Sequence, residues 1–129
     1  VAPGYRKVRD KLESYGVRLL GVDSDGLIEP LLANWLDAGV NLVFPLEIGT
    51  WNADPMALRR KFGRDLHMIG GYNKLALEKG RAEIDAELER RLAIMKDGGY
   101  MIMPDHTITP KTPLNDYRYY LERVRELRF

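Results

Sequence analysis

Apolar and polar positions along the chain alternate between two regimes. Tyr5, Val8, Leu12 and Tyr15 recur at i, i+3, i+7 and i+10, the spacing of one helical face, and the chain then enters a mostly apolar run over 17–22. The same change of regime recurs three more times, each at a glycine. Gly16, Gly39, Gly63 and Gly98 each stand three residues before a large apolar side chain, namely Leu19, Leu42, Leu66 and Met101. Glycine tolerates the left-handed conformation that ends a helix, so each marks a helix end followed by a strand. The pattern predicts strands over 17–22, 41–44, 66–69 and 100–103. They are short and lack clean alternation, as strands buried on both faces do.

Helical segments with opening signals lie between the strands. Glu29-Pro30 opens one that carries Leu31, Leu32, Trp35 and Leu36, and Asp54-Pro55 opens one that carries Met56, Leu58 and Phe62. A longer helix over 81–96 aligns Ile84, Leu88, Leu92 and Met95, with Glu87 and Arg91 assigned to the other face. Thr112-Pro113 opens the last, with Leu114, Tyr117, Leu121 and Val124 expected to face inward.

Strand and helix in alternation imply parallel strands with right-handed crossovers, an α/β fold. Of the two common architectures, a doubly wound sheet should show a glycine-rich phosphate loop after a first strand. Neither G-x-G-x-x-G nor G-x-x-x-x-G-K-[ST] occurs. A (β/α)8 barrel takes about 250 residues for eight units. Four units in 129 residues make half of one, and the expected domain is a single partial one over 1–129.

Composition narrows the chemistry. With no cysteine, disulfide frameworks, zinc-thiolate sites and thiol nucleophiles are excluded. Lys plus Arg number 20 against 19 Asp plus Glu, a net charge of +1, so no basic excess points to nucleic acid. No apolar stretch approaches the roughly 18 to 20 residues of a spanning helix. The tyrosines at 117, 119 and 120 interleave with charges of both signs, which suits an amphipathic outer helix better than a base-stacking stripe.

In a barrel the loops at the C-terminal ends of the strands open on one face and form the site. Here they carry Asp23, Ser24, Asp25 and Gly26; Pro45 and Glu47; Gly70, Gly71, Tyr72, Asn73 and Lys74; and Pro104, Asp105 and His106. Taken alone, Asp23-Ser24-Asp25-Gly26 is also good turn chemistry, Glu47 a solvated acid, and Gly70-Gly71 a device for close strand–helix packing. His67 lies inside a strand and reads as a packing histidine. His106 directly follows a strand, where an imidazole with an unperturbed pKa of about 6.5 can donate, accept or bind metal.

Val22-Asp23-Ser24-Asp25-Gly26, Ala38-Gly39-Val40-Asn41 leading to Pro45-Leu46-Glu47, Ile69-Gly70-Gly71, and Gly98-Gly99-Tyr100 with Pro104-Asp105-His106 before Thr109-Pro110 stand in this order along nearly the whole chain. Together they resemble the uroporphyrinogen decarboxylase superfamily, in the C-terminal half of its (β/α)8 barrel, a domain roughly twice this length. The resemblance implies a cytoplasmic lyase of porphyrin biosynthesis that removes carboxyl groups from porphyrinogen acetate side chains without a cofactor. Of the family's functional positions it carries over only the histidine after the last strand, which falls on His106 as the catalytic position; the strand-end loops supply Asp23, Asp25, Glu47, Tyr72 and Asn73 as the residues expected to face substrate. The family's central aspartate and main arginines belong to the N-terminal half. The decarboxylases have Gly-His-Gly where this chain reads Asp105-His106-Thr107, and Gly-Asn-Leu-Asp where it reads Gly71-Tyr72-Asn73-Lys74.

Corrinoid-dependent methyltransferases of the same superfamily hold zinc through His-x-Cys and a later Cys. Those positions fall here on Asp23, Asp25 and His106, a harder ligand set for a divalent metal such as zinc, with Glu47 as a fourth. A metal-dependent methyltransferase or demethylase working with a corrinoid partner is therefore the second expectation. A non-catalytic half-barrel that binds a ligand or assembles is the third. A half-barrel leaves its outer strands unpaired, so a homo-oligomer or a missing N-terminal half is expected, with the isolated chain inactive. The helix that begins near Val1 then reads as the crossover into a fifth strand, with no signal peptide ahead of it.

Overall fold

The structure, a computed structural model, describes residues 2–129; Val1 lies outside the described residues. Helix α1 (Ala2–Glu13) leads into β1 (Gly21–Asp23), followed by α2 (Glu29–Asp37), β2 (Leu42–Leu46), α3 (Pro55–Phe62) and β3 (His67–Tyr72). A 3-10 turn (Lys74–Glu78), α4 (Arg81–Asp97), β4 (Tyr100–Pro104) and α5 (Leu114–Glu126) complete the chain. The four strands form one sheet in the order β1-β2-β3-β4, every neighbouring pair parallel. Strands that pair in strict sequence order, with no reversal, build a barrel wall; a doubly wound sheet reverses at its switch point. This is the expected α/β half-barrel.

Two apolar clusters hold the helices on the sheet. Leu32, Val43, Leu46, Leu58 and Met68 are each at most 4% exposed and lock α2 and α3 against β2 and β3. Each such side chain contributes roughly 1.5–3 kcal/mol by leaving water. The second cluster joins β3, the 3-10 turn, α4 and α5 through Tyr72, Leu77, Ile84, Leu88 and Tyr120. The rings of Tyr72 and Tyr120 meet at 4.6 Å and 46°.

Five local expectations are corrected. The first strand shrinks from 17–22 to Gly21–Asp23, at one edge of the sheet. Val17 and Leu19 are exposed, and the Asn41 side chain takes the place of a ladder. Its Oδ1 accepts from Leu20 N at 2.9 Å while its Nδ2 donates to the Arg18 carbonyl at 2.9 Å. The third strand runs on through Gly70 and Gly71 to Tyr72. Gly70 has φ +115°, and a Cβ there would sit 2.6 Å from Leu46 N, so this glycine serves a close strand–strand approach beside the irregular β2–β3 register, not strand–helix packing. In the helices, Leu114 points outward and is 61% exposed, while Tyr120 occupies the core place on α5. Glu87, expected on the outer face of α4, is buried and clamped by Arg90 and Arg91 at 2.7 Å each.

At the N-terminal ends of the strands, Arg59 is buried and gathers three carbonyls. Its Nη1 donates to Gly63 O (2.9 Å) and Leu66 O (2.7 Å), and its Nη2 to Gly98 O (2.7 Å), with Nε 3.0 Å from Asp97. It ties the end of α3 to the start of β3 and the end of α4.

Candidate functional site

The loops that follow the strands meet at the opposite end. Asp23 ends β1, and Ser24 N still donates to Phe44 O at 2.8 Å, which launches the 24–28 loop across the top of β2. Glu47 leaves β2 and is buried; one of its carboxylate oxygens accepts from Gly26 N at 2.9 Å. That bond folds the loop after β1 toward the strand end and brings Asp25 beside Glu47. His106 arrives from β4. Ligating atoms of Asp25, Glu47 and His106 all lie within 4.8 Å of one another, and His106 Nε2 is 3.7 Å from Asp25 Oδ1.

Asp25 and His106 edge an open cleft of about 500 Å³. Asp23, Asp25 and His106 stand on its polar side, and Phe44, Pro45, Met103, Ile108 and Tyr117 give it an apolar wall. Among the described residues, no lysine or arginine lines it. A second cavity, of about 290 Å³, opens at the other end of the sheet beside Arg9, Arg18 and His67. It is remote from the loop cluster.

The hydrogen bonding of the two histidines differs. His67 Nδ1 faces two carbonyls, Asn41 O and Asp65 O, both at 3.2 Å, so it carries a proton there and belongs to the fold. His106 Nδ1 accepts from Thr107 N at 2.8 Å. A neutral imidazole that accepts at one nitrogen bears its proton on the other. His106 therefore presents Nε2–H toward Asp25, and its side chain is 42% exposed on the cleft.

Of the residues expected from sequence, the structure brings Asp23, Asp25, Glu47 and His106 together. Tyr72 does not join them. Its ring is fully buried against Tyr120, and desolvation pushes its hydroxyl pKa well above the usual tyrosine value. Asn73 caps the 3-10 turn, its Oδ1 accepting from Leu75 N at 3.0 Å. Both were placed by their position after a strand, but β3 continues far enough to carry the Tyr72 side chain into the helical layer. One acid with a part in the site gave no sequence signal beyond its place next to His106. Asp105 is buried and accepts from three backbone amides in two other loops.

Sequential parallel strands, a helix after each, and polar groups gathered at the strands' C-terminal ends define part of a (β/α)-barrel. The chain belongs to the uroporphyrinogen decarboxylase (URO-D) family, whose model matches residues 1–127. It is similar to a curated protein named uroporphyrinogen decarboxylase from Sphingopyxis alaskensis, with 30% identity over 115 residues. The match covers 89% of this chain and 27% of that relative, which is thus longer than the twofold difference expected from sequence. No solved structure matches the chain. No helix among the described residues is long and apolar enough to cross a membrane.

Proposed function

We propose that the chain supplies the C-terminal half of a URO-D-type carbon–carbon lyase, with His106 as a neutral hydrogen-bond donor to a substrate carboxylate. The observation that carries this reading is the bond from Thr107 N to His106 Nδ1, which leaves the exchangeable proton on Nε2 at the cleft. Decarboxylation of an acetate side chain on a pyrrole ring needs a proton delivered to ring carbon, so that electrons of the breaking C–C bond flow into the ring as carbon dioxide departs. A second proton then completes the methyl group as the first leaves the ring carbon and the pyrrole is restored. A neutral imidazole does not surrender its remaining proton, so His106 holds a substrate carboxylate through Nε2–H beside Asp25, and the proton for the ring carbon has to come from another acid. Asp23 and Asp25 offer acceptors to ring N–H groups, and the wall of Phe44, Met103 and Tyr117 suits a flat, apolar ring face. Cations for a polycarboxylate must come from outside this cleft, in agreement with a site completed by a further half-barrel or a second copy. No cofactor is required by this chemistry.

The metal-dependent alternative rests on the convergence of Asp25, Glu47 and His106. Their spacing suits a divalent ion, but the hydrogen bonding does not. A ligating histidine donates its other ring N–H to an acceptor, whereas His106 Nδ1 receives an N–H. Glu47 is also committed to Gly26 N. The set as it stands fits hydrogen bonding to substrate better than metal ligation.

The test is carbon dioxide release from a carboxylated porphyrinogen by the full-length protein, with metal content measured on the same sample. Activity in metal-free protein, lowered at least tenfold in His106→Asn, supports the reading. A stoichiometric ion that activity requires overturns it.

A further inference from the structure

We infer that Asp105 is a positioning residue that sets Glu47 and His106 in register by binding the backbones of two other loops. The residue is 2% exposed, immediately precedes His106, and has both carboxylate oxygens engaged. Oδ2 accepts from Ile48 N at 2.9 Å and Gly49 N at 2.7 Å; Oδ1 accepts from Lys74 N at 3.0 Å. Ile48 directly follows Glu47, and Lys74 begins the turn after β3. Glu47 in turn holds Gly26, next to Asp25. One buried carboxylate thus reaches every loop of the site: those after β2 and β3 directly, that after β4 through its own backbone, and that after β1 through Glu47.

Three converging N–H donors explain why an aspartate stands here. An ionised carboxylate is acceptor-only on both oxygens, whereas asparagine would turn one end into a donor facing amides. The fit is close on the other side as well. A Cβ on Gly49 would lie 3.0 Å from Asn73 Oδ1 and 3.4 Å from Asp105 Oδ2. With both oxygens occupied and no access to the cleft, Asp105 does not meet substrate itself. Its effect on turnover, though not its effect on geometry, rests on the proposed role of His106.

The experiment is NMR on Asp105→Ala and Asp105→Asn, with and without added formate. In Asp105→Ala, exchange of the Ile48, Gly49 and Lys74 amides should quicken tenfold or more, while Met68 in β3 keeps its protection. The His106 ring resonances should move, with those of His67, the second of the chain's two histidines, as the internal control. Formate, a free carboxylate that fits the vacated amides, should restore both signals in part. A purely structural lesion would shift His67 and Met68 too and would not respond to formate. Unchanged amides or an unchanged His106 ring in a folded variant overturns the inference. If the alanine variant does not fold, Asp105→Asn carries the same readouts with the volume kept. Absence of decarboxylation by the wild type would defeat the catalytic reading and leave these signals as they are.

Discussion

The two ends of the sheet are built by the same device with opposite charge. At the N-terminal ends of the strands, a buried guanidinium, Arg59, collects the carbonyls of Gly63, Leu66 and Gly98. At the C-terminal ends, a buried carboxylate, Asp105, collects the amides of Ile48, Gly49 and Lys74. Parallel topology dictates the signs. Every crossover helix finishes near the first end, with unpaired carbonyls and the negative pole of its dipole, and starts near the second, with unpaired amides and the positive pole. Acids at the site end are therefore not automatically chemical. Asp105 and Glu47 answer backbone amides, and Asp54 caps α3 by accepting from Met56 N at 2.9 Å. Asp23, Asp25 and His106 are the groups left facing the cleft.

Removing Arg59 should break the comparison most severely. Arg59→Ala leaves three carbonyls and Asp97 without a buried partner and should cost about 3–5 kcal/mol in urea unfolding, with no selective effect on the cleft. Gly70→Ala forces a Cβ against the Leu46 backbone at positive φ, and should cost roughly 2–4 kcal/mol by the same measurement. Glu47→Gln weakens a charge-assisted bond to Gly26 and should lose about 1–2 kcal/mol, while loosening the 24–28 loop as read by amide exchange. His106→Asn, on the exposed side of the cleft, should change stability by less than about 0.5 kcal/mol. It should nevertheless lower kcat/KM roughly 10- to 100-fold, the loss of one hydrogen bond to a charged group. The smallest effect is remote from both ends. The Asp85 carboxyl is held below its usual pKa by the Tyr119 hydroxyl and Arg123. Its stabilisation is present above the ordinary carboxylate pKa and fades as pH falls through the lowered value, so Asp85→Asn should flatten the acid limb of the stability curve slightly.

The order of strands and helices was legible because glycine-terminated helical stripes give way to short apolar runs at a regular spacing, and packing makes that alternation obligatory. The loop residues Asp25, Glu47 and His106 were legible for the same reason, since topology alone brings strand ends together. Tyr72 was misplaced because a strand's last residue and a loop's first differ by which face the side chain takes, and β3 runs three residues past its expected end at Ile69. Arg59 and Asp105 were hidden for a different reason. Each binds backbone groups of segments far away in sequence, and such a partner leaves no residue pattern to read. Glu87 was hidden by its own neighbours, since a helical Glu–Arg pair four apart looks solvent-facing until the fold buries it.

The most direct measurement of the central claim is the protonation of His106 in the wild-type protein near neutral pH, by nitrogen NMR of the ring. The account predicts a neutral ring protonated at Nε2, with a scalar coupling across the hydrogen bond between Thr107 N and Nδ1. A ring protonated at Nδ1, which would turn the Nε2 lone pair toward Asp25 and Glu47 as a metal ligand, would contradict it.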